Sequence, residues 1–268
     1  GRLHLGHAYS ALLNARLARE MGGRFLLRIE DIDTIRCTEE LTQACLDDLA
    51  WLGLEWGKPV RIQSQHFMDY NLALERLKQR GLIYPCFCSR NHIKQHSSGT
   101  DPEGAPLYPG TCRSLAPTEA STRIAAGEAH SWRLDMESAL LCAPGPHYYT
   151  RFDTGTDVSA NPARWGDVIL ARKETPTSYH LSVVVDDALQ GITHVVRGED
   201  LEAATDIHVL LQALLELQKP LYMHHTLLRE TDGEKLAKST RSESLDALRA
   251  RGVTAEQVRE MVGCGGQI

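Results

Sequence analysis

The sequence predicts an α/β fold, a parallel sheet covered by helices and split by a loop-rich insertion. Helix-type and strand-type patterns alternate over the first eighty residues. A stretch rich in Pro, Gly, Ser and Thr then runs from Tyr84 to about Pro176, and α/β texture resumes at Tyr179. The bulk numbers fit a globular chain: 268 residues, 42% hydrophobic, 29 Lys+Arg against 35 Asp+Glu, and a net charge of −6. That length suits one large domain or two moderate ones. No apolar run approaches the ~18 residues that cross a bilayer, so no membrane partner is expected. No segment has the low hydrophobicity and high net charge of disorder, and no repeat of fixed period is present. The acidic balance argues against a general nucleic-acid coat, though a local basic patch suffices for a nucleic-acid enzyme.

Element by element, Leu5, Tyr9, Leu12, Leu13, Arg16 and Leu17 give a helix with a spaced apolar face, closed by Gly22-Gly23. Phe25-Leu26-Leu27-Arg28-Ile29 is a short strand-type run that leads into Glu30-Asp31-Ile32-Asp33. Residues 38–52 are helical, with Thr38 as cap and Leu41, Cys45, Leu46, Leu49 and Leu52 on one side. Residues 67–81 form another helix, carrying apolar Leu72, Leu74 and Leu77. The insertion holds short strands at Trp132-Arg133-Leu134 and Asp167-Val168-Ile169-Leu170. Helix returns at 201–217, and one or two helices occupy 242–262. The expected organisation is a first catalytic half at 1–83, the insertion at 84–176, a second half at 177–230, and a lysine loop with terminal helices at 231–268. Because the chain opens at Gly1 directly into a helix, a strand is expected to precede it.

Two motifs suggest phosphate chemistry. His4-Leu5-Gly6-His7 lies at a helix N-terminus, where free N–H groups and a partial positive charge suit a phosphate and glycine allows close approach. Histidines there can donate to charge developing on a phosphoryl group. Lys235-Leu236-Ala237-Lys238-Ser239 follows the turn residues Thr231-Asp232-Gly233, and two lysines three apart can clamp a polyphosphate leaving group. Each motif alone has a plainer reading, as surface histidines or as a solvated basic loop.

Taken together at opposite ends of an α/β chain, they resemble the class I aminoacyl-tRNA synthetases. Arg28-Ile29-Glu30-Asp31-Ile32-Asp33, Tyr179-His180-Leu181, Val184-Val185-Asp186-Asp187 and Val196-Arg197-Gly198-Glu199-Asp200 narrow the resemblance to the glutamyl type. The resemblance implies a Rossmann-like class I synthetase catalytic domain. It implies catalytic roles for His4, His7, Lys235 and Lys238, and ATP contacts from His4, Gly6, His7 and Lys238. It also implies a glutamate pocket of Glu30, Tyr179 and Arg197. The chemistry is compatible: a guanidinium grips a carboxylate through two parallel hydrogen bonds, and a glutamic acid pairs with an α-ammonium. The plainer reading of Glu30 and Arg197 is an ion pair between neighbouring strands.

Cys86-Phe87-Cys88 followed by Tyr108-Pro109-Gly110-Thr111-Cys112 offers three thiols, one short of a closed zinc site. Tyr108, His92 and His96 compete for the fourth place, and imidazole is the commoner ligand. Here the chain resembles the glutamyl-queuosine tRNA(Asp) synthetases, short relatives of glutamyl-tRNA synthetase. That resemblance implies one structural Zn2+ on Cys86, Cys88, Tyr108 and Cys112. It further implies ATP with Mg2+, L-glutamate and queuosine-bearing tRNA(Asp) as partners of a monomer. About thirty residues follow Ser239, which leaves no room for an anticodon-binding domain and favours this branch of the family. A glutamyl-tRNA synthetase core charging tRNA(Glu), and an inactive RNA-binding paralogue, are the competing readings. Val183 stands where many glutamyl-tRNA synthetases have an amide side chain, and Ala237 replaces the usual serine between the lysines.

The seven cysteines, an odd number without a secretory leader, indicate a reducing, cytoplasmic setting. Cys37, Cys45, Cys142 and Cys264 read as small packing residues. His224-His225 reads as structural, and Trp51 and Trp56 as packing around Gly53.

Overall fold

Helix α1 (Leu5–Glu20) starts where the extended backbone of His4 gives way to helix, and the left-handed Gly22 follows its end. The computed structural model describes residues 1–228 and 243–265. They fall into two units. One comprises Gly1–Gln65, Val196–Asp200 and the described residues from His224 on; the other comprises His66–Val195 and Leu201–Met223.

In the first unit, strand β1 (Leu26–Ile29) is followed by helix α2 (Glu39–Trp51) and strand β2 (Gly57–Ile62). Thr38 caps α2 by accepting the Leu41 N–H, and Glu39 and Glu40 in the first turn complement the helix dipole. β2 returns parallel to β1, with Leu26 opposite Gly57 and Ile29 opposite Ile62. Gly57 leaves room for the Leu26 side chain, whose Cδ2 would stand 2.7 Å from an added Cβ. The Asp31 carboxylate fixes the ends of both strands by accepting Ser64 N at 2.8 Å and Ser64 Oγ at 2.6 Å.

The second unit begins with helix α3 (Phe67–Gln79), strand β3 (Ile83–Cys86), and helices α4 (Arg90–His96) and α5 (Pro117–Ala125). Strand β4 (Ser131–Leu134), helix α6 (Met136–Cys142), strands β5 (Tyr148–Arg151) and β6 (Thr156–Ser159), and strand β7 (Ile169–Ala171) follow. Then come helix α7 (Tyr179–Leu189), strand β8 (His194–Gly198), helix α8 (Thr205–Leu215) and strand β9 (Leu221–His225), of which β8 from Val196 and β9 from His224 are counted in the first unit. β3, β4 and β7 form an antiparallel sheet in that order, and the other sheet runs β6-β5-β9-β8 with β5 and β9 parallel. The core gathers Tyr70, Leu74 and Leu77 of α3, Leu181, Val184 and Val185 of α7, and Ile207, Leu210, Leu211 and Leu214 of α8. Within it, the Tyr70 hydroxyl donates to the Asp186 carboxylate at 2.9–3.0 Å, which satisfies a charge that burial would otherwise penalise.

Helices α9 (Leu245–Ala250) and α10 (Ala255–Met261) complete the first unit, separated by left-handed Gly252. Leu245, Leu248, Val258 and Val262 pack with Ala8, Leu12, Leu49, Leu52 and Leu54. Trp51 and Trp56 lean on this core, as their position beside Gly53 predicts. None of the helices among the described residues is long and apolar enough to cross a membrane.

Three expectations change in detail. The insertion is more regular than its composition suggests, with three helices among its turns. Leu72 is 59% exposed while Leu74 and Leu77 are buried, because residues two apart point to different sides of a helix. Cys142 is not a packing residue: it is exposed, with its sulfur 2.9 Å from Arg80 Nη2.

Candidate functional site

Both histidines of the opening motif are held by the backbone that they cap. His4 Nδ1 accepts the Gly6 N–H at 3.1 Å, and His7 Nδ1 accepts the His4 N–H at 3.1 Å. This reciprocal box uses imidazoles in the places that Ser and Glu usually take. Because both Nδ1 atoms accept, each neutral ring carries its proton on Nε2. The ring centroids are 3.8 Å apart. Burial lowers the His4 pKa, and burial together with the neighbouring His4 takes His7 down to about 4. Near neutral pH the N-terminus of α1 therefore presents two uncharged N–H donors. Gly6 lies so close to the His4 ring that a Cβ would stand 3.0 Å from Cε1.

The described residues after 242 meet the start of the chain: Ser244 bridges His4, and the Leu245 N–H donates to Leu3 O at 2.8 Å. Leu228 packs on the same core as α1. Lys235 and Lys238 lie outside the described residues.

In the same unit, Glu30 follows β1 and is exposed, and Arg28 Nε and Nη2 donate to its Oε1 at 3.2 and 3.0 Å. Arg197, near the end of β8, donates from Nε to Nε2 of buried His224 at 3.3 Å. Sequence reasoning read His224 as structural; it touches a predicted substrate residue 27 positions away, a contact without a local signal in the sequence. Buried His225 has Nε2 3.2 Å from Ser10 Oγ and its ring edge-on to Tyr9. At Gly198, after Arg197, an added Cβ would press on the Asp200 carboxylate and stand 2.9 Å from Leu227 Cδ2.

Tyr179 belongs to the second unit, as the first residue of α7 after the Ser178 cap. Its ring lies 5.7 Å from that of His180 and 5.6 Å from that of His208. Val183 is buried on α7 within the core.

Cys86 ends β3, and Cys88 and Cys112 meet it from the loops that follow. Their three sulfurs lie within 4.8 Å of one another, and Cys88 and Cys112 are 3.6 Å apart. Edges of a tetrahedral zinc-thiolate site measure about 3.8 Å, so this donor set fits the metal. The Tyr108 hydroxyl stands 3.5 Å from Cys88 Sγ and accepts the Cys112 N–H at 2.8 Å. Burial raises the Cys86 pKa, but hydrogen bonds from Tyr108 and Arg133 and the charge of Arg133 outweigh it, leaving the thiol below its usual range. Burial, with Cys112 and Cys86 alongside, pushes Cys88 up to about 11, and burial with the same cysteines raises Tyr108. A divalent cation bound to the three sulfurs would offset the repulsion between thiolates held this close. The rival His92 is half-buried and His96 exposed; they stack on each other at 4.3 Å, and His92 Nε2 stands 3.4 Å from Thr111 Oγ1.

Residues 1–266 match the family described as tRNA synthetases class I (E and Q), catalytic domain. A protein of Rhodobacter capsulatus named glutamyl-Q tRNA(Asp) synthetase is 46% identical, across 98% of this chain and 96% of its own length. A protein of that name from Symbiobacterium thermophilum is 40% identical, across 96% of this chain and 81% of its own. Among solved structures, the glutamate-tRNA synthetase of Elizabethkingia anophelis superposes with a TM-score of 0.79 at 24% identity. This chain spans 59% of that protein's length.

Proposed function

Because the chain belongs to the class I tRNA synthetases for E and Q, we propose that it activates glutamate with ATP and transfers it to queuosine in the anticodon of tRNA(Asp). The observation that carries this reading is the 46% identity, over 98% of the chain, to the Rhodobacter protein of that name. The paired neutral imidazoles of α1 supply a physical basis for the first step.

In that step an oxygen of the glutamate α-carboxylate attacks the α-phosphorus of ATP, and the bond to the bridging oxygen breaks to release pyrophosphate. The Nε2–H groups of His4 and His7 donate to the phosphoryl oxygens as charge builds there. Lys235 and Lys238 neutralise the departing pyrophosphate. Arg197 takes the side-chain carboxylate of glutamate in a forked pair, Glu30 takes its α-ammonium, and the Tyr179 hydroxyl adds a polar contact. Mg2+ enters with ATP, as part of the substrate. In the second step a hydroxyl of the queuosine ring attacks the acyl carbon, the acyl–phosphate bond breaks, and AMP leaves with the electron pair. The AMP phosphate accepts the hydroxyl proton.

A structural zinc on Cys86, Cys88, Tyr108 and Cys112 would shape the insertion that meets tRNA and take no part in bond making. The enzyme works as a monomer in the cytoplasm.

The test is incubation with ATP, labelled glutamate and tRNA(Asp) with or without queuosine, with the attachment mapped by periodate sensitivity. Label on queuosine-bearing tRNA(Asp) only, with glutamate-dependent pyrophosphate exchange in the absence of tRNA, is expected. Label on the terminal adenosine of tRNA(Glu) and none on tRNA(Asp) would establish a glutamate-tRNA ligase instead. Loss of exchange altogether would mark an inactive RNA-binding relative.

A further inference from the structure

Arg133, in β4, is only 6% exposed, yet it carries a full charge. Its guanidinium carbon stands 3.9 Å from the centre of the Tyr108 ring, its Nη1 donates to the Asp167 carbonyl at 2.7 Å, and its charge faces Cys86. Among the described residues no carboxylate pairs with it. The nearby Asp167 carboxylate is occupied by Arg113 at 2.6 Å, by the Met136 N–H at 3.0 Å and by the Tyr84 hydroxyl. Arg133 Nε has no hydrogen-bond partner. A buried guanidinium without a counter-charge is costly, so the fold must supply an anion elsewhere.

The other cations around the cysteines are accounted for. Lys173 Nζ meets the carbonyls of Phe87 and Cys88 at 3.4 and 3.3 Å, and Arg123, lying over the Phe87 ring, pairs with Glu128 at 2.6 Å. Arg133 alone among them is both buried and lacking an acidic partner. Three thiolates around one divalent cation carry a single net negative charge when the fourth ligand is a neutral phenol. One guanidinium cancels it.

We propose that Arg133 is the built-in counter-ion of the metal–thiolate centre formed by Cys86, Cys88 and Cys112 beside Tyr108. The proposal rests on the zinc reading above and adds that this residue sets the affinity of the centre for a divalent cation. When the centre is loaded, the Arg133 charge is compensated. When it is stripped, the same charge weakens the insertion.

The test uses the full chain, stripped by a chelator and titrated with Zn2+ against a competing chromophoric chelator, with thermal midpoints recorded before and after loading. Arg133→Met, which keeps the bulk and removes the charge, should weaken zinc binding about 10–100-fold, the range in which groups supporting metal ligands act. It should also shrink the rise in midpoint on loading. Arg133→Lys, which keeps the charge without the stacking fork, should lose less than Arg133→Met. Zinc affinity in Arg133→Met equal to that of the unmodified protein overturns the proposal, and so does an Arg133→Lys loss as large as that of Arg133→Met. If Arg133→Met fails to fold, Arg133→Lys decides, with a loss beyond about tenfold overturning the assignment. An unmodified chain that takes up no zinc, with Cys88→Ser indistinguishable from it, refutes the zinc reading itself. The two failures are thereby told apart.

Discussion

A hydrogen bond connects Arg197, the side chain expected to read the substrate, with the buried His224. Arg197 spends its Nε on His224, which aims the rest of the fork. Replacing Arg197 by Lys keeps the charge and loses the paired geometry. Charge-assisted hydrogen bonds are worth about 1.5–3 kcal/mol, so the KM for glutamate in pyrophosphate exchange should rise roughly 10–100-fold. His224→Leu removes only the acceptor and should raise that KM about fivefold with kcat nearly unchanged, the effect of roughly 1 kcal/mol. A fall in kcat at constant KM would assign His224 to the scaffold instead.

His7 makes a second prediction at this scale. Its folded-state pKa, about 4, lies below the ordinary histidine value of 6.5, so the native state resists protonation. The stability linked to this ring is complete above about pH 6.5 and is lost as pH falls toward 4. Proton NMR should show the His7 ring unchanged between pH 5.5 and 8 and titrating near 4. The thermal-midpoint difference between the unmodified chain and His7→Asn should change sharply over that acid window. A ring titrating near 6.5 would contradict the capping geometry.

Among elements, the turn after β8 is closely packed by side chains. In Gly198→Ala the new methyl would meet the Asp200 carboxylate and the Leu227 side chain at once. Overpacking of this kind typically costs about 1–3 kcal/mol, and here it would also move Arg197. Denaturant unfolding should show the loss, accompanied by weaker glutamate binding. The sequence disclosed α1, β1, α2 and α3 because their apolar spacing and caps are local properties. It hid β2, where Gly57-Lys58-Pro59 breaks any strand pattern and pairing with β1 alone makes the strand. It understated the insertion too, since α4, α5 and α6 have 7, 9 and 7 residues, too short for a periodic signal to stand out. The His4 and His7 pair at the helix start was legible because its motif is contiguous, and the cysteine cluster because Cys86-Phe87-Cys88 marks it, with Cys112 further along. Contacts such as those of Arg197 with His224, or Arg133 with Tyr108, join residues far apart in the chain, and nothing local announces them.

At the scale of the whole chain, each unit is discontinuous, and the backbone passes between them four times. The core of the second unit depends on α8, ten of whose eleven residues are buried and which lies beyond the first return. A fragment of residues 66–195 therefore lacks the element that closes its own core. Expressed alone, it should show no cooperative thermal transition, whereas the full chain melts cooperatively. A sharp melt of the fragment would mean that α8 is dispensable.

The packing of α9 and α10 against Ala8 and Leu12 bears on biosynthesis. Helix α1 leaves the ribosome more than two hundred residues ahead of the α9 and α10 side chains that help to shelter it. A nascent chain halted before Leu245 would display that helix's greasy side uncovered, an invitation to chaperones and proteases. Burial of Ala8 and Leu12 is complete only once Leu245, Leu248, Val258 and Val262 have joined them.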